Sequence, residues 1–285
     1  MRNGKISQLI VCMILALSVA VEAQDTLKIG WNKKAIGNLN FSQSSFDNWV
    51  QGGENSWAWM VNFAARFVYK KEKLTWENSG KLEYGQAKIG DAESKKSADE
   101  IFLETLLAHD LGKALQFYAA ANGRSQFAEG FNYTTDPKTL ISQFMNPGYF
   151  MESAGLRYTP RANFNSRLGL AAKQTVVTEE RFASIYTDKS HTTDLEKLRQ
   201  ELGLESITKY NQTLAKNLSY VTSLELFSNL KAFNQIDARW DNLIKADIVK
   251  YVAVSFTFQL FYDRDISIKR QLKQVLGVGL TYSFL

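Results

Sequence analysis

Val252-Ala253-Val254-Ser255-Phe256-Thr257-Phe258-Gln259-Leu260-Phe261-Tyr262 is the stretch from which the fold class can be read. Val252, Val254, Phe256, Phe258, Leu260 and Tyr262 share one side, and Ser255, Thr257 and Gln259 share the other. Successive side chains of a strand point to opposite faces, so this pattern predicts a strand with one apolar and one polar face. The chain closes the same way. Leu276, Val278, Leu280, Tyr282 and Phe284 alternate with Gly277, Gly279, Thr281 and Ser283. Further upstream, Trp57, Trp59, Val61, Phe63, Ala65, Phe67 and Tyr69 oppose Asn62, Arg66 and Lys70. Leu74, Trp76, Gly80, Leu82 and Tyr84 interleave with Glu77, Ser79, Lys81 and Glu83. These runs exceed the roughly 5–6 residues of a soluble strand and suit a tilted strand crossing a bilayer. A soluble sandwich or lipocalin-like barrel would show shorter strands and more turn prolines than the 3 Pro present.

The connections supply a second test. Strands read near 33–45, 54–70, 73–87, 98–111, 113–127, 148–159, 162–174, 195–207, 213–227, 236–246, 250–262 and 271–284 leave connections that alternate in length. Short ones fall at Lys71-Glu72, Gly112, Pro160-Arg161, near Asn211 and near Asp247. Longer ones fall at Gln51-Gly52-Gly53, Asp91-Ala92-Glu93, 128–147, 175–194, 229–235 and 263–270. Short turns on one side and long loops on the other characterise bacterial outer-membrane barrels, whose strand number is even. The expected fold is all-β: an antiparallel transmembrane β-barrel of about twelve strands. Pro137, Pro147 and Pro160 are expected outside strand interiors, as a closed ladder requires. Leu195-Glu196-Lys197-Leu198-Arg199-Gln200-Glu201-Leu202 would also suit an amphipathic helix. It is read as a strand because the even parity fails without it.

Composition narrows the function classes. Among 285 residues, 45% are hydrophobic and 13% aromatic, but the mean hydropathy of −0.25 is too low for a helical membrane protein. The net charge of +5 is spread along the chain, so no basic block points to nucleic acid. Arg2 and Lys5 precede the apolar stretch 6–21 and then Val21-Glu22-Ala23, the outline of a secretory signal peptide. Residues 1–23 are therefore expected to be a signal and 24–285 the barrel domain. Cys12, the single cysteine, would leave with the signal, because Val11 is too large for a lipoprotein box.

The polar faces carry charges of both signs. Arg66, Glu77, Lys81, Glu83, Glu104, Arg124, Arg157, Arg167, Lys173, Arg199, Glu201, Glu205, Glu225, Asp237, Arg239 and Asp241 are expected to face the lumen. They suit either a paired network filling a narrow barrel or a selective pore that steers a solute. With only 2 His, His109 beside Asp110 and His191 beside Ser190, nothing in the sequence builds a nucleophile–base pair or a metal site. No catalysis, cofactor or metal is expected. The competing function classes are a barrel hydrolase and a surface-binding scaffold using the outer loops. In the first outer connection, Asn48, Trp49, Gly52 and Gly53 suit a tight reversal with an interfacial aromatic. An inward-folded constriction or sugar platform is the alternative.

The stretches Leu39-Asn40-Phe41-Ser42-Gln43-Ser44-Ser45-Phe46-Asp47-Asn48-Trp49-Val50-Gln51-Gly52-Gly53-Glu54-Asn55-Ser56, Lys96-Ser97-Ala98-Asp99-Glu100 and Ile141-Ser142-Gln143-Phe144-Met145-Asn146-Pro147 resemble an uncharacterised (domain of unknown function) family of outer-membrane β-barrels of Bacteroidota. The resemblance extends to Leu226-Phe227-Ser228-Asn229 and to the C-terminus, and implies fold and location but no reaction. The last strand, with Tyr282 and penultimate Phe284, resembles the signal read by the outer-membrane assembly machinery. The expected partners are that machinery, outer-membrane lipids and a small solute. The expected function is a narrow solute passage or a structural component of the envelope.

Overall fold

The computed structural model describes residues 27–48, 50–187, 194–233, 235–263 and 269–285. The signal-peptide expectation, Cys12, Trp49 and His191 lie outside them. Twelve strands close into one antiparallel barrel. They are β1 (Gly30–Ser44), β2 (Ser56–Lys71), β3 (Leu74–Ile89), β4 (Lys95–Gly112) and β5 (Leu115–Ser125), then β8 (Gly148–Arg161), β9 (Phe164–Val176), β10 (Leu198–Ala215), β11 (Leu218–Asn229), β12 (Ile236–Val249), β13 (Val252–Tyr262) and β14 (Gln271–Ser283). A small hairpin, β6 (Gly130–Asn132) and β7 (Thr139–Ser142), and one short helix, α1 (Glu180–Tyr186), lie in the long loops. Closure comes from β14 pairing with β1, with Ile36 opposite Ser283 and Asn40 opposite Gly279. Closing the ring removes the free strand edges that an open sheet would expose.

Alternation sorts the side chains. The outer surface carries Leu276 (72% exposed), Leu202 (66%), Leu170 (64%) and many similar residues, an apolar band that water would not tolerate at this extent. Aromatic residues mark both ends of that band. Trp59 packs on Tyr84 toward the long loops, and Trp31 packs on Tyr69 and Trp76 toward the short turns. On a tilted strand the ten-residue step from Trp59 to Tyr69 spans roughly 25 Å, the height of an outer-membrane apolar band. The barrel therefore crosses a membrane.

The turns refine the expected boundaries. β10 is a strand, as the parity argument required, but it runs on to Ala215, so the reversal lies at residues 216–217 and not near Asn211. Asn211 pairs with Val221 inside the ladder, since nothing in Tyr210-Asn211-Gln212 forces a left-handed turn. Likewise the turn after β12 lies beyond Val249, and Asp247 sits at a ladder irregularity. Pro160 is a correction too. It lies within β8, at the break in register between Tyr158 and Arg161, where its missing N–H costs no ladder bond. In the turn at Lys113-Ala114 both residues adopt left-handed backbone (φ 52 and 65), which matches the twist of a two-residue hairpin.

The long loops are ordered against one another. Asn146, fully buried, accepts from the backbone N–H of Thr178 (2.7 Å) and donates to the Thr178 hydroxyl (2.7 Å). Gln143 donates to Glu179, and Tyr186 donates to the Ile141 carbonyl (3.2 Å). Val177, Phe182 and Ala183 form a small core with Leu140 and Tyr186 packed against it. Burial pushes the Tyr186 hydroxyl up to about 12. Together these loops form a cap on the loop side of the barrel, above β8 and β9.

Candidate functional site

In the closed ring, strands that are not neighbours can touch only through the interior. Among the described residues seven ion pairs between strands make such contacts, one of them from Arg167 on β9 to Glu104 on β4 at 2.8 Å. Arg239 on β12 reaches Glu100 on β4 at 2.8 Å, and Lys273 on β14 reaches Glu83 on β3 at 2.9 Å. Arg157 on β8 reaches Glu77 on β3 at 2.6 Å, and Lys209 on β10 reaches Glu104 on β4 at 3.1 Å. Arg124 on β5 meets Glu225 on β11 at 3.4 Å, and Lys173 on β9 meets Asp237 on β12 at 2.6 Å. These thirteen side chains line the lumen, and the strand register puts every residue of matching parity beside them.

The network has three levels. Toward the loops, Lys173 gathers Asp237, Asp263 (3.4 Å) and Glu201 (3.8 Å), and Arg199 holds Glu201 at 3.0 Å. At mid-height Glu100 is the hub, bound by Lys81 (2.8 Å), Arg124 (3.2 Å) and Arg239, while Arg239 also holds Asp241 at 2.8 Å. Toward the turns, Arg167 bridges Glu205 and Glu104, each at 2.8 Å, and Arg66 holds Glu77 at 2.7 Å. Charges withdrawn from water persist only when paired, and this arrangement pairs them repeatedly.

Glu205 is the most enclosed of them at 1% exposure. Besides Arg167 it accepts from the Tyr118 hydroxyl (3.3 Å) and the Ser153 hydroxyl (3.2 Å). Tyr118 fits because Gly155 and Gly169 face each other on β8 and β9; a Cβ on Gly169 would lie 2.4 Å from the tyrosine oxygen. Here the glycines supply space for a buried ring.

The lumen is filled on one side only. On β9 the inward residues Arg167, Gly169, Ala171, Lys173 and Thr175 are all buried. On β1 the inward residues Lys34, Ile36, Asn38, Asn40 and Ser42 are none of them buried, and the same holds for Lys273, Val275, Gly277, Gly279 and Thr281 on β14. The solvent-exposed inward faces of β14 and β1, and of β2 as far as Arg66, leave a hydrated strip opposite a packed wall, with Val68 nearer the turn of β2 buried. A cavity of about 260 Å³ adjoins the packed side, lined by Tyr149, Phe227, Arg124, Arg239, Asp237 and Asp263 among others.

The other sequence candidates separate into two groups. Asn48 (φ 52), Gly52 (φ 86) and Gly53 (φ 146) form a compact reversal, with Gly53 against the Phe46 ring and the Phe46 N–H donating to Asn55 at 2.6 Å. They lie at the barrel rim, away from the ion-pair network. Tyr282 and Phe284 stack edge-on at 4.9 Å on the outer surface near the short turns. His109 is exposed on the outward face of β4 near its turn and makes no hydrogen bond to a serine among the described residues. Four charged network members were absent from the sequence expectation, among them Asp263, which was read as the start of the loop 263–270. Glu100 shares the parity of Glu104 and was legible on that ground. Lys209 was hidden by the misplaced turn near Asn211. Lys273 precedes the apolar alternation that marked the last strand.

Residues 41–131 match the model of a family described as "Protein of unknown function (DUF3078)". No curated protein matches the chain. Among solved structures, the COG4313 outer membrane channel from Pseudomonas putida F1 aligns over 93% of this chain and 99% of its own, with 11% identity and a TM-score of 0.41. The NanC porin aligns over 87% and 98%, with 6% identity and a TM-score of 0.41. The translocator domain of the autotransporter NalP from Neisseria meningitidis aligns over 97% and 95%, with 11% identity and a TM-score of 0.36. These likenesses are shallow, and the barrel rests on its own strand pairing. A closed, even-stranded barrel with an apolar band, two aromatic girdles and one-sided short turns is an outer-membrane β-barrel of the bacterial type.

Proposed function

We propose that this barrel is a narrow passage for small solutes, running off-centre along the hydrated wall of β14, β1 and β2, and that it carries out no catalysis. One observation carries the reading: every inward residue of β1 from Lys34 to Ser42 and of β14 from Lys273 to Thr281 stays in contact with solvent, while the facing β9 wall is packed. A purely structural barrel gains nothing from leaving half its interior hydrated. The Lys273–Glu83 pair spans this strip and narrows it. The barrel is solvated by outer-membrane lipids and assembled by the machinery that reads its last strand, in keeping with its resemblance to Bacteroidota barrels. The test is conductance of the purified protein in a planar bilayer. Small, discrete openings are expected. Silence from folded protein would leave a structural role.

A second reading is favoured by the cap. Loops tied by Asn146 and by the Val177–Phe182–Ala183 core present a fixed outer surface. Such a surface suits a scaffold that binds a partner outside the cell. Shortening the β6–β7 hairpin separates the readings: loss of function in cells with conductance intact would assign the function to the loops.

A further inference from the structure

We infer that the passage selects small anions, because the hydrated strip presents cations whose carboxylate partners are already saturated. This rests on the passage reading above and specifies the solute class.

Of the carboxylates that line the middle and the turn side of the lumen, four have both oxygens engaged. Glu77 binds Arg66 through one oxygen and Arg157 through the other. Glu83 binds Lys273 through one, and Lys81 and Asn62 through the other. Glu100 and Glu104 are likewise held on both oxygens, by Arg239 and Lys81, and by Arg167 and Lys209. A passing cation finds no free acceptor among these four. The partners that face the hydrated strip are in the opposite condition. Arg66 is 49% exposed against 15% for Glu77, and Lys273 is 35% exposed against 11% for Glu83. Along the hydrated side the ammonium and guanidinium groups stand in front of the acids.

Lys34 adds charge that nothing cancels. It lies on the inner face of β1, directly opposite Arg66 on β2, and has no carboxylate partner among the described residues. Like charges facing one another across a strand pair destabilise a sheet. The fold nonetheless places two cations side by side on the wall where the solute would move. Rings and strips of Lys and Arg are how anion pores are lined. Among the described residues this wall carries no inward aromatic ring for stacking, and Asn38, Asn40, Asn62, Gly277 and Gly279 alternate there with few apolar groups. The fitting ligands are compact hydrated anions, such as halides or short carboxylates.

The experiment measures reversal potential across a potassium chloride gradient, using the full protein in a planar bilayer. A chloride-to-potassium permeability ratio above one is expected. Lys34→Glu should lower that ratio while preserving the barrel, since the new carboxylate gains Arg66 as a partner. Lys273→Gln should lower it as well, with Glu83 still held by Lys81. Folding of each variant is read from the heat-dependent gel mobility of the closed barrel, and one folded variant suffices. A ratio at or below one in a conducting wild type would overturn the anion assignment and leave the passage standing. A ratio above one that neither variant moves would also overturn it. No conductance at all would overturn the passage itself, and the selectivity with it.

Discussion

Arg239 shows how a lumen residue divides its work. It donates to Asp241 and Glu100, each at 2.8 Å, from two different nitrogens. Arg239→Ala leaves Asp241 with Gln259 (2.9 Å) and Glu100 with Lys81 and Arg124. The loss should therefore cost about 2–3 kcal/mol in urea unfolding, less than the full penalty for breaking a dry buried pair. The same variant should weaken anion preference, because the lumen loses a positive charge. No change in either measurement would remove Arg239 from the lumen. Gly169 tests space instead of charge. Gly169→Ala drives a methyl against the Tyr118 hydroxyl and the Ala154 carbonyl, both 2.4 Å from the added carbon. Overpacking of this kind should cost about 1–3 kcal/mol. Tyr118→Phe in the same chain should recover only part of it, since the backbone clash remains. The parity of Arg239 and its neighbours was legible in the sequence, because period two assigns a face to each residue. Their partners were not, because contacts between non-neighbouring strands depend on how the whole ring closes.

At the scale of one strand, β13 offers the cleanest test of facing. Phe256 lies outward opposite Ile244 and Leu276, and Thr257 lies inward opposite Leu243 and Val275. Phe256→Arg places a charge near mid-bilayer and should cost roughly 2–4 kcal/mol, with poor assembly. Thr257→Arg points the same group into a hydrated lumen and should assemble nearly normally. Equal effects would mean that the alternation faces the wrong medium. Strand identity was legible wherever apolar alternation ran unbroken, as in β2, β3, β13 and β14. It failed at boundaries set by turn geometry. β10 continues through Tyr210-Asn211-Gln212 because its pairing with Tyr220-Val221-Thr222 of β11 outweighs local turn preference there. The cap was not legible as a cap, since its cohesion comes from Asn146 meeting a loop 32 residues away in sequence. There Tyr186→Phe removes the bond to Ile141 and should loosen the cap by about 1 kcal/mol, read as faster proteolysis of the loop at 177–197. Because burial raises the Tyr186 hydroxyl to about 12, the folded cap holds it neutral while an opened cap ionises it near 10. The stabilisation is complete below pH 10 and falls as pH rises from 10 to 12.

For the molecule as a whole, location follows from architecture. The protein should fractionate with outer membranes, resist carbonate extraction and change gel mobility on boiling. Soluble recovery would contradict the barrel's apolar band. Fold class and location were accessible from periodicity, parity and the aromatic ends of the strands. The division of the lumen into a packed wall and a hydrated wall was not, because inward residues of β9 and β1 follow the same alternation and differ only in what stands across the ring. That division is the centre of the functional account, and thiol accessibility tests it. Ala64 and Ala171 both point inward, Ala64 exposed on the β2 side and Ala171 only 5% exposed on β9. Cys12 is the only natural cysteine, so a thiol introduced at either position is the sole one beyond it. In folded protein, a water-soluble thiol reagent should modify Ala64→Cys rapidly and reduce its conductance, and leave Ala171→Cys unmodified. Equal labelling of the two, or faster labelling at position 171, would contradict the half-filled lumen.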